Sequence, residues 1–363
     1  MNYEKSEIGK KLPHPPSAST DRKMVLSIHS EDTPELGTRE FVFRSPAMQA
    51  IYSVAMQVAG SDASVLIYGE SGTGKELLAR LLHTLSDRSA RPFVPVNCGV
   101  LQGELFADKF FGHETGAFTG ANRQRKGAFE MAGTGTLFLD EVGEIPPSNQ
   151  VDFLRVLEER SFRRMGGEKD IPFQARIVAA TNRPLNRMVQ EGTFRADLFY
   201  RLNVVPVCLP PLRSRKEDIP LLTEHVFSLF RHRYHRHDLT LREDVLEAFA
   251  AYSWPGNVRE LRNLMERLVL LADGKEIAAA NLPLEMRLAA GGKGRDTAGD
   301  EGQPDEAAGG LLLDTALREA EMRAIARALR HTGGHKGKAA EVLGISPRSL
   351  RYKMAEHNLG MFM

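Results

Sequence analysis

The sequence predicts an α/β domain built as a parallel sheet between helices. An all-helical lid region and a separate all-α C-terminal unit follow it. Three observations carry this. First, short apolar runs of β type, SVLIYG (64–69), TLFLDE (136–141) and ARIVAATN (175–182), alternate with helical runs such as KELLARLLHTL (75–85) and NQVDFLRVLEER (149–160). Strands that are apolar throughout and separated by helices form parallel sheets covered on both faces. Second, strand-like text gives out after CLPPLRSRKEDIP (208–220), and 217–288 reads as helices, among them LREDVLEAFAAY and NVRELRNLMERLVLLA. Third, residues 289–310 hold seven Gly and no apolar side chain larger than Ala. As a Gly-rich coil, such a tether spans roughly 25 Å and separates a last helical unit at 311–360.

The elements fall in the order of the chain. Residues 1–40 are polar and rich in Pro, Ser and charge, and are expected to form a mostly disordered arm. Its one strand-like stretch is MVLSI (24–28). The α/β domain is placed at 41–211, the helical lid at 212–288, the linker at 289–310 and the terminal domain at 311–363. Within 149–160, Val151, Leu154 and Leu157 recur at helical spacing. The chain has 363 residues, 42% apolar and 26% charged, with a net charge of +1, so any surface for nucleic acid must be local. Two Cys, Cys98 and Cys208, exclude a disulfide framework or a Cys-rich zinc site. No apolar leader or membrane-length run is present, so a cytoplasmic protein is expected.

GESGTGKE, spanning Gly69, Glu70, Ser71, Gly72, Thr73, Gly74, Lys75 and Glu76, follows a strand and opens a helix. Glycines there let backbone N–H groups approach phosphate oxygens at a helix N-terminus, and Lys75 can reach the β- and γ-phosphates of ATP. A bare Gly-rich turn would not need this strand–loop–helix setting. Glu76 stands where a Ser or Thr would hold Mg²⁺, so the metal must lean on another group or on Glu76 itself. Asp140 and Glu141, closing the strand of TLFLDE, supply such a group. Asp140 suits Mg²⁺ orientation through water, and Glu141 suits polarisation of the attacking water. An acidic pair after a strand is also a common solvated turn; the P-loop upstream decides between the two.

Thr181 and Asn182 end the next strand and are candidates for sensing the γ-phosphate. FRADLFYRL places Arg195 and Arg201 six residues apart, off any one tight helical face. They are either surface ion-pair residues or arginine fingers reaching a neighbouring subunit's nucleotide. Arg259, in the first turn of the helix that WPGNVRELRN opens, could close a lid over the nucleotide. HETGAFTGAN (113–122) puts a single aromatic residue, Phe118, among glycines. Taken alone, such a Phe is either tucked into a core or offered to something outside.

In this order, the motifs resemble the AAA+ ATPases. GESGTGKE, GAFTGA, GTLFLDEV, FRADLFYRL, LPPLRSRKEDI and WPGNVREL together resemble the sigma-54-dependent bacterial transcription activators, the enhancer-binding proteins, over about 42–288. The resemblance implies that the loop of Gly116, Ala117, Phe118, Thr119, Gly120 and Ala121 touches sigma-54, with Phe118 and Thr119 as contacts. It also implies that Asn97 links the γ-phosphate to Glu141, that Arg195 and Arg201 act in trans, and that Arg259 is a second sensor. Glu76 is usual in that family. ADKFFGHE (107–114) departs from it at Lys109 and Phe110, and EIPPSNQ (144–150) at Pro147 and Asn149, both beside loops that face sigma-54.

HTGGHKGKAAEVLGISPRSLRYKMAEHNL (331–359) follows a helix with Leu317, Ala320, Ala324 and Ala328 on one face. It reads as a helix over Lys336–Leu343, a turn at Gly344, an N-cap at Ser346 and a second helix from Pro347. Leu350 and Met354 point inward on that helix. Arg348, Ser349, Arg351, Tyr352 and Lys353 are left as the DNA-contacting set, a helix-turn-helix arrangement; a helical dimerisation cap is the plainer alternative. The segment resembles the Fis-type DNA-binding domain, which implies dimers on inverted-repeat enhancer DNA.

The expected protein is therefore an ATP- and Mg²⁺-dependent activator. It assembles from dimers into a hexameric ring and remodels the closed complex of sigma-54 RNA polymerase. An arm of about 40 residues cannot hold a receiver domain, so control by a regulatory protein in trans, by hetero-assembly or by expression level is expected, and not by phosphorylation of this chain. Two rivals are a regulator of the same architecture that has lost sigma-54 engagement, and an AAA+ replication initiator or unfoldase. The intact GAFTGA counts against both.

Overall fold

Side-chain alternation along the strands explains how one sheet holds two cores. The computed structural model describes residues 24–28, 39–99 and 103–291, and in the C-terminal unit Thr332, His335, Lys336, Gly337, Ala340, Leu350 and Met354. The chain divides into two units, Met1–Gly294 and Arg295–Met363.

The first unit begins with β1 (Met24–Ile28) and β2 (Arg39–Phe43), an antiparallel ribbon, followed by α1 (Pro46–Ala59). Next come β3 (Val65–Tyr68), α2 (Lys75–Thr84), β4 (Phe93–Asn97) and α3 (Glu104–Phe111). A two-residue ribbon, β5 (Gly112–His113) with β6 (Arg125–Lys126), brackets the Phe118 loop, and α4 (Ala128–Ala132) and β7 (Thr136–Asp140) follow. The chain continues through α5 (Pro147–Glu159), the small ribbon β8 (Ser161–Phe162) and β9 (Ile171–Pro172), β10 (Arg176–Thr181), α6 (Leu185–Gln190), α7 (Ala196–Leu202) and β11 (Val205–Cys208). Five of these strands form a parallel sheet in the order β11-β3-β10-β7-β4.

Leu66, Leu137, Leu139, Ile177 and Ala179 face one side of that sheet and pack with phenylalanines of α3, α4 and α5. Val65, Ile67, Phe138, Val178 and Ala180 face the other and pack with α1, α2 and the β1–β2 ribbon. The first core is mainly aromatic: Phe110 lies 4.7 Å from both Phe106 and Phe153, and Phe129 meets Phe173 edge-on at 5.2 Å. Edge and tilted contacts of this kind suit the ring quadrupole. Phe110, which departs from the family pattern, is fully buried here. Arg176 is buried on the sheet and donates to the carbonyls of Ala59 (2.7 Å) and Val58 (2.8 Å), capping the end of α1.

The lid consists of α8 (Asp218–Arg233), α9 (Glu243–Ala251), α10 (Asn257–Leu271) and α11 (Leu284–Gly291), around a core containing Trp254, Phe230 and Phe249. Trp254 Nε1 donates to the Phe249 carbonyl at 2.8 Å, so its burial leaves no orphan donor.

Three expectations are corrected. The folded region reaches beyond the predicted start at residue 41, because Leu26 of β1 is buried and β2 alternates Phe41 and Phe43 toward the sheet with Val42 toward the lid. Strands do not stop at Cys208: β12 (Thr240–Leu241) and β13 (Glu276–Ile277) pair in parallel inside the lid. Helix α11 continues to Gly291, into the predicted tether; the tether from 292 and the arm up to residue 23 lie outside the described residues.

Candidate active site

The P-loop lies between β3 and α2, where the chain must turn sharply around an anion-sized space. Gly72 (φ 78°) and Gly74 (φ 106°) take the left-handed backbone this needs. Gly72 has a second reason to be glycine. A Cβ there would fall 2.3 Å from the Gly256 carbonyl oxygen, so the lid rests directly on the loop, and the Val258 N–H donates to the Gly72 carbonyl at 3.0 Å. Lys75 Nζ donates to the Gly69 carbonyl at 2.9 Å and lies 3.7 Å from Glu141 Oε1. The buried Thr73 hydroxyl donates to the Glu70 carbonyl at 2.8 Å. Glu76 accepts from Arg80 Nε at 2.9 Å.

Asp140 and Glu141 close β7, two strands from the P-loop strand. Glu141 adopts a left-handed backbone (φ 55°), and its Oε2 accepts from the Asn182 N–H at 3.3 Å. Asp140 Oδ1 accepts from the Glu141 N–H at 3.0 Å. Burial raises the Asp140 pKa, the Glu141 charge adds to this, and Lys75 opposes it. A cation beside this pair would relieve both effects, so the donor set fits a hard divalent metal.

Two residues are placed differently from expectation. Thr181 is fully buried; its hydroxyl accepts from the Arg183 N–H at 3.0 Å and its carbonyl from the Gly69 N–H at 3.2 Å. It is tied into the loop at the end of its strand, whereas Asn182 is exposed beside Glu141. Asn97 sits in register with Asp140, but its Oδ1 accepts from the Gly99 N–H at 2.8 Å in a local turn in place of the implied link to Glu141. Asn at a strand end readily bonds the backbone two residues on.

Arg259 Nη1 donates to Ser71 Oγ at 2.8 Å, which brings the lid arginine to the loop. Arg195 precedes α7 and grips Asp197 through two bonds of 3.1 and 2.7 Å. Arg201 donates to the Leu157 carbonyl at 2.9 Å. Among the described residues, no hydrogen bond or ion pair joins either arginine to the P-loop of its own chain.

The sequence reading missed a lid–loop clasp. Arg213 donates to both oxygens of Glu70 (2.8 and 2.5 Å), and Asn257 Nδ2 donates to Glu70 Oε2 at 3.1 Å and to the Ser71 carbonyl at 3.0 Å. Arg215 Nη2 reaches the Thr73 carbonyl at 2.8 Å. Arg213, Arg215 and Asn257 all stand inside the quoted LPPLRSRKEDI and WPGNVREL; only their tertiary contacts reveal the role.

The Phe118 loop is held by its own backbone: the Gly116 N–H donates to the Ala121 carbonyl at 2.8 Å, and the Ala121 N–H to that of Phe118 at 3.0 Å. Thr119 and Gly120 are exposed and Ala121 is buried. Phe118 is half-buried against the His113 ring, 4.9 Å away and edge-on, so in this structure it is folded back, not projecting. In the C-terminal unit Leu350 and Met354 are buried, as their spacing predicted. Arg348, Ser349, Arg351, Tyr352 and Lys353 lie outside the described residues.

A P-loop on an interior strand of a parallel sheet, reached by an arginine from a helical lid, defines an AAA+ ATPase. Residues 41–208 match the sigma-54 interaction domain, 213–298 the AAA+ ATPase lid domain and 316–357 the bacterial regulatory proteins of the Fis family. Regulatory protein AtoC of Escherichia coli (strain K12) is 42% identical over 338 residues, which cover 93% of this chain and 72% of AtoC. Transcriptional regulatory protein ZraR of Salmonella typhimurium is 45% identical over 311 residues, 86% of this chain and 67% of ZraR. The crystal structure of NtrX from Brucella abortus in complex with ATP superposes with a TM-score of 0.65 at 34% identity, covering 87% of this chain and 69% of NtrX. The chain belongs to the family of sigma-54-dependent transcriptional activators with a Fis-type DNA-binding unit. Among the described residues, no helix is long and apolar enough to cross a membrane.

Proposed function

We propose that this activator binds enhancer DNA through its C-terminal unit. It assembles as a hexameric ring in the cytoplasm and uses ATP hydrolysis to convert the closed complex of sigma-54 RNA polymerase into the open one. The observation that carries the reading is the connection between site and loop. Asn97, the last residue of β4, is in register with Asp140, and the chain leads from there through α3 to the Phe118 loop. In this reading a shift at the end of β7 passes to β4 and on along the chain to that loop.

In this reading Gly69–Glu76 receive the triphosphate, and Lys75 exchanges its carbonyl partners for phosphate oxygens. Mg²⁺, when bound, would neutralise developing charge; Asp140 would hold it through water, with Glu76 beside it. Glu141, already oriented by the Asn182 N–H, accepts the proton of the attacking water. Asn182 stands where it can report the γ-phosphate, and Arg259 closes the lid on the loop. Asn97 exchanges its local turn for Glu141 when the nucleotide state changes. Arg195 and Arg201 complete a neighbouring protomer's site, and Phe118 with Thr119 grips sigma-54. Arg348, Arg351 and Lys353, with Ser349 and Tyr352, contact an inverted-repeat DNA site. One exposed and one buried free cysteine suit a reducing compartment.

The test is Phe118→Ala. ATP turnover is expected to stay within about twofold of wild type, because no nucleotide contact is removed, while sigma-54-dependent promoter opening is abolished. Promoter opening at the wild-type level would overturn the proposal.

A further inference from the structure

We propose that Asp108 and His113 form a positioning pair that holds Phe118 in its folded-back place and so sets how readily the loop is presented. The inference rests on the reading of Phe118 as the sigma-54 contact.

The pair and Arg125 together link the two stems of the loop. His113 lies in β5, before the loop, and Arg125 lies directly opposite it in β6, after the loop. Asp108, on α3, bonds to both: His113 Nδ1 is 2.5 Å from Asp108 Oδ1, and Arg125 Nη1 donates to Asp108 Oδ2 at 3.0 Å. One carboxylate thereby ties the two stems together. Asp108 and His113 are 5% and 8% exposed, which protects the bond from water, whereas the Arg125 side chain is largely exposed.

A carboxylate on Nδ1 fixes the orientation of an imidazole and makes Nδ1 the donor. The fixed ring is the one Phe118 meets, at 4.9 Å and 69° between planes. Among the described residues, His113 is the one ring that Phe118 meets. A single edge-on contact is easily exchanged for a better pocket on a partner. Flanking Gly116 (φ 85°) and Gly120 (φ 104°) hold a left-handed backbone with nothing within 4 Å of an added Cβ, so the turn on either side of Phe118 is one that glycine adopts freely. The neighbouring tie of Arg164 to Glu114 (2.6 Å) and Glu130 (2.8 Å) holds the base of the loop and does not touch the ring. Among the described residues, the Asp108–His113 pair supplies the ring contact of Phe118.

The test uses the full chain with Phe118→Trp as reporter. Trp254, the one native Trp, is fully buried and gives a constant background. Without nucleotide, the added Trp is expected to emit as a half-buried indole. Introducing Asp108→Asn or His113→Ala should red-shift its emission and raise its quenching by acrylamide at least about twofold, as the exposed population grows. Arg125→Ala, which empties no buried space, should give a smaller change in the same direction; it decides the matter if a buried substitution fails to fold. Unchanged emission and quenching in folded Asp108→Asn and Arg125→Ala proteins would overturn the proposal. A second measurement, sigma-54 capture without nucleotide by Asp108→Asn with Phe118 intact, should rise above wild type. A changed reporter with no rise in capture supports the pair and counts against Phe118 as the sigma-54 contact, so the two ideas fail separately.

Discussion

The Glu70 carboxylate takes three hydrogen bonds from the lid, two from Arg213 and one from Asn257. These bonds lower its pKa to about 2 from an ordinary 4.5, with Arg213 the largest cause. Because the folded value is the depressed one, the contribution to lid docking is full above pH 4.5 and is lost as pH falls toward 2. The pair is partly exposed, so its effect is modest. Arg213→Ala is expected to raise the KM for ATP by no more than about fivefold. Its deficit in thermal midpoint should be constant above pH 5 and narrow below pH 4.5 as Glu70 protonates; a deficit independent of pH would remove Glu70 from the account. The grouping of Lys75 with Asp140 and Glu141 was legible in the sequence because their residue types and spacing form a recognisable motif. Arg213 and Asn257 were not, since an arginine 143 residues from its partner looks like any surface charge until the fold joins them. For Thr181 the residue type at a strand end could not show that the side chain is fully buried and bonded to the Arg183 N–H.

At the scale of elements, the central strands were legible and the edges were not. The runs at β3, β7 and β10 are apolar through their middles because both faces are covered there. The two edge strands, β4 and β11, each carry a proline, Pro95 and Pro206, and are partly exposed. Proline weakens a strand reading and yet is tolerated on an edge, where one side of the backbone makes no ladder bonds. The β1–β2 ribbon was half-seen for a related reason: its strands alternate between two cores, so neither shows a simple pattern. The contact between lid and P-loop gives a prediction of its own. Gly72→Ala must accept both a left-handed backbone and a Cβ 2.3 Å from the Gly256 carbonyl. Gly192→Ala has a similar φ of 70° and nothing within 4 Å. Both pay the conformational cost of about 1–3 kcal/mol, but only Gly72→Ala should also push α10 from the loop. Chemical denaturation should therefore show a larger loss for Gly72→Ala. Its KM for ATP should rise while that of Gly192→Ala stays at the wild-type value. Equal behaviour of the two would mean that the lid does not rest on Gly72.

At the scale of the whole molecule, the order of motifs along the chain was legible, because each strand end contributes one part of the site in sequence. The position of the arginine pair was not, because a single chain does not contain the surface it would serve. Arg195 is held by its own Asp197, and Tyr200, between the two arginines, is 72% exposed. An aromatic side chain so placed suits a subunit contact. If Arg195 acts in trans, Arg195→Ala should lower ATP turnover by about 10³-fold or more, the usual effect of losing such a finger. Lys75→Ala should abolish turnover at its own site while leaving a competent arginine for its neighbour. Mixing the two inactive variants then creates interfaces that pair an intact Lys75 with an intact Arg195. Random assembly of an equimolar mixture into a closed ring makes about a quarter of interfaces productive. Turnover should recover toward that fraction of wild type, and recovery should require concentrations at which the ring forms. An Arg195 that served its own protomer could never meet a competent Lys75 in such a mixture. Activity no greater than that of the two variants assayed apart would then place the finger in cis.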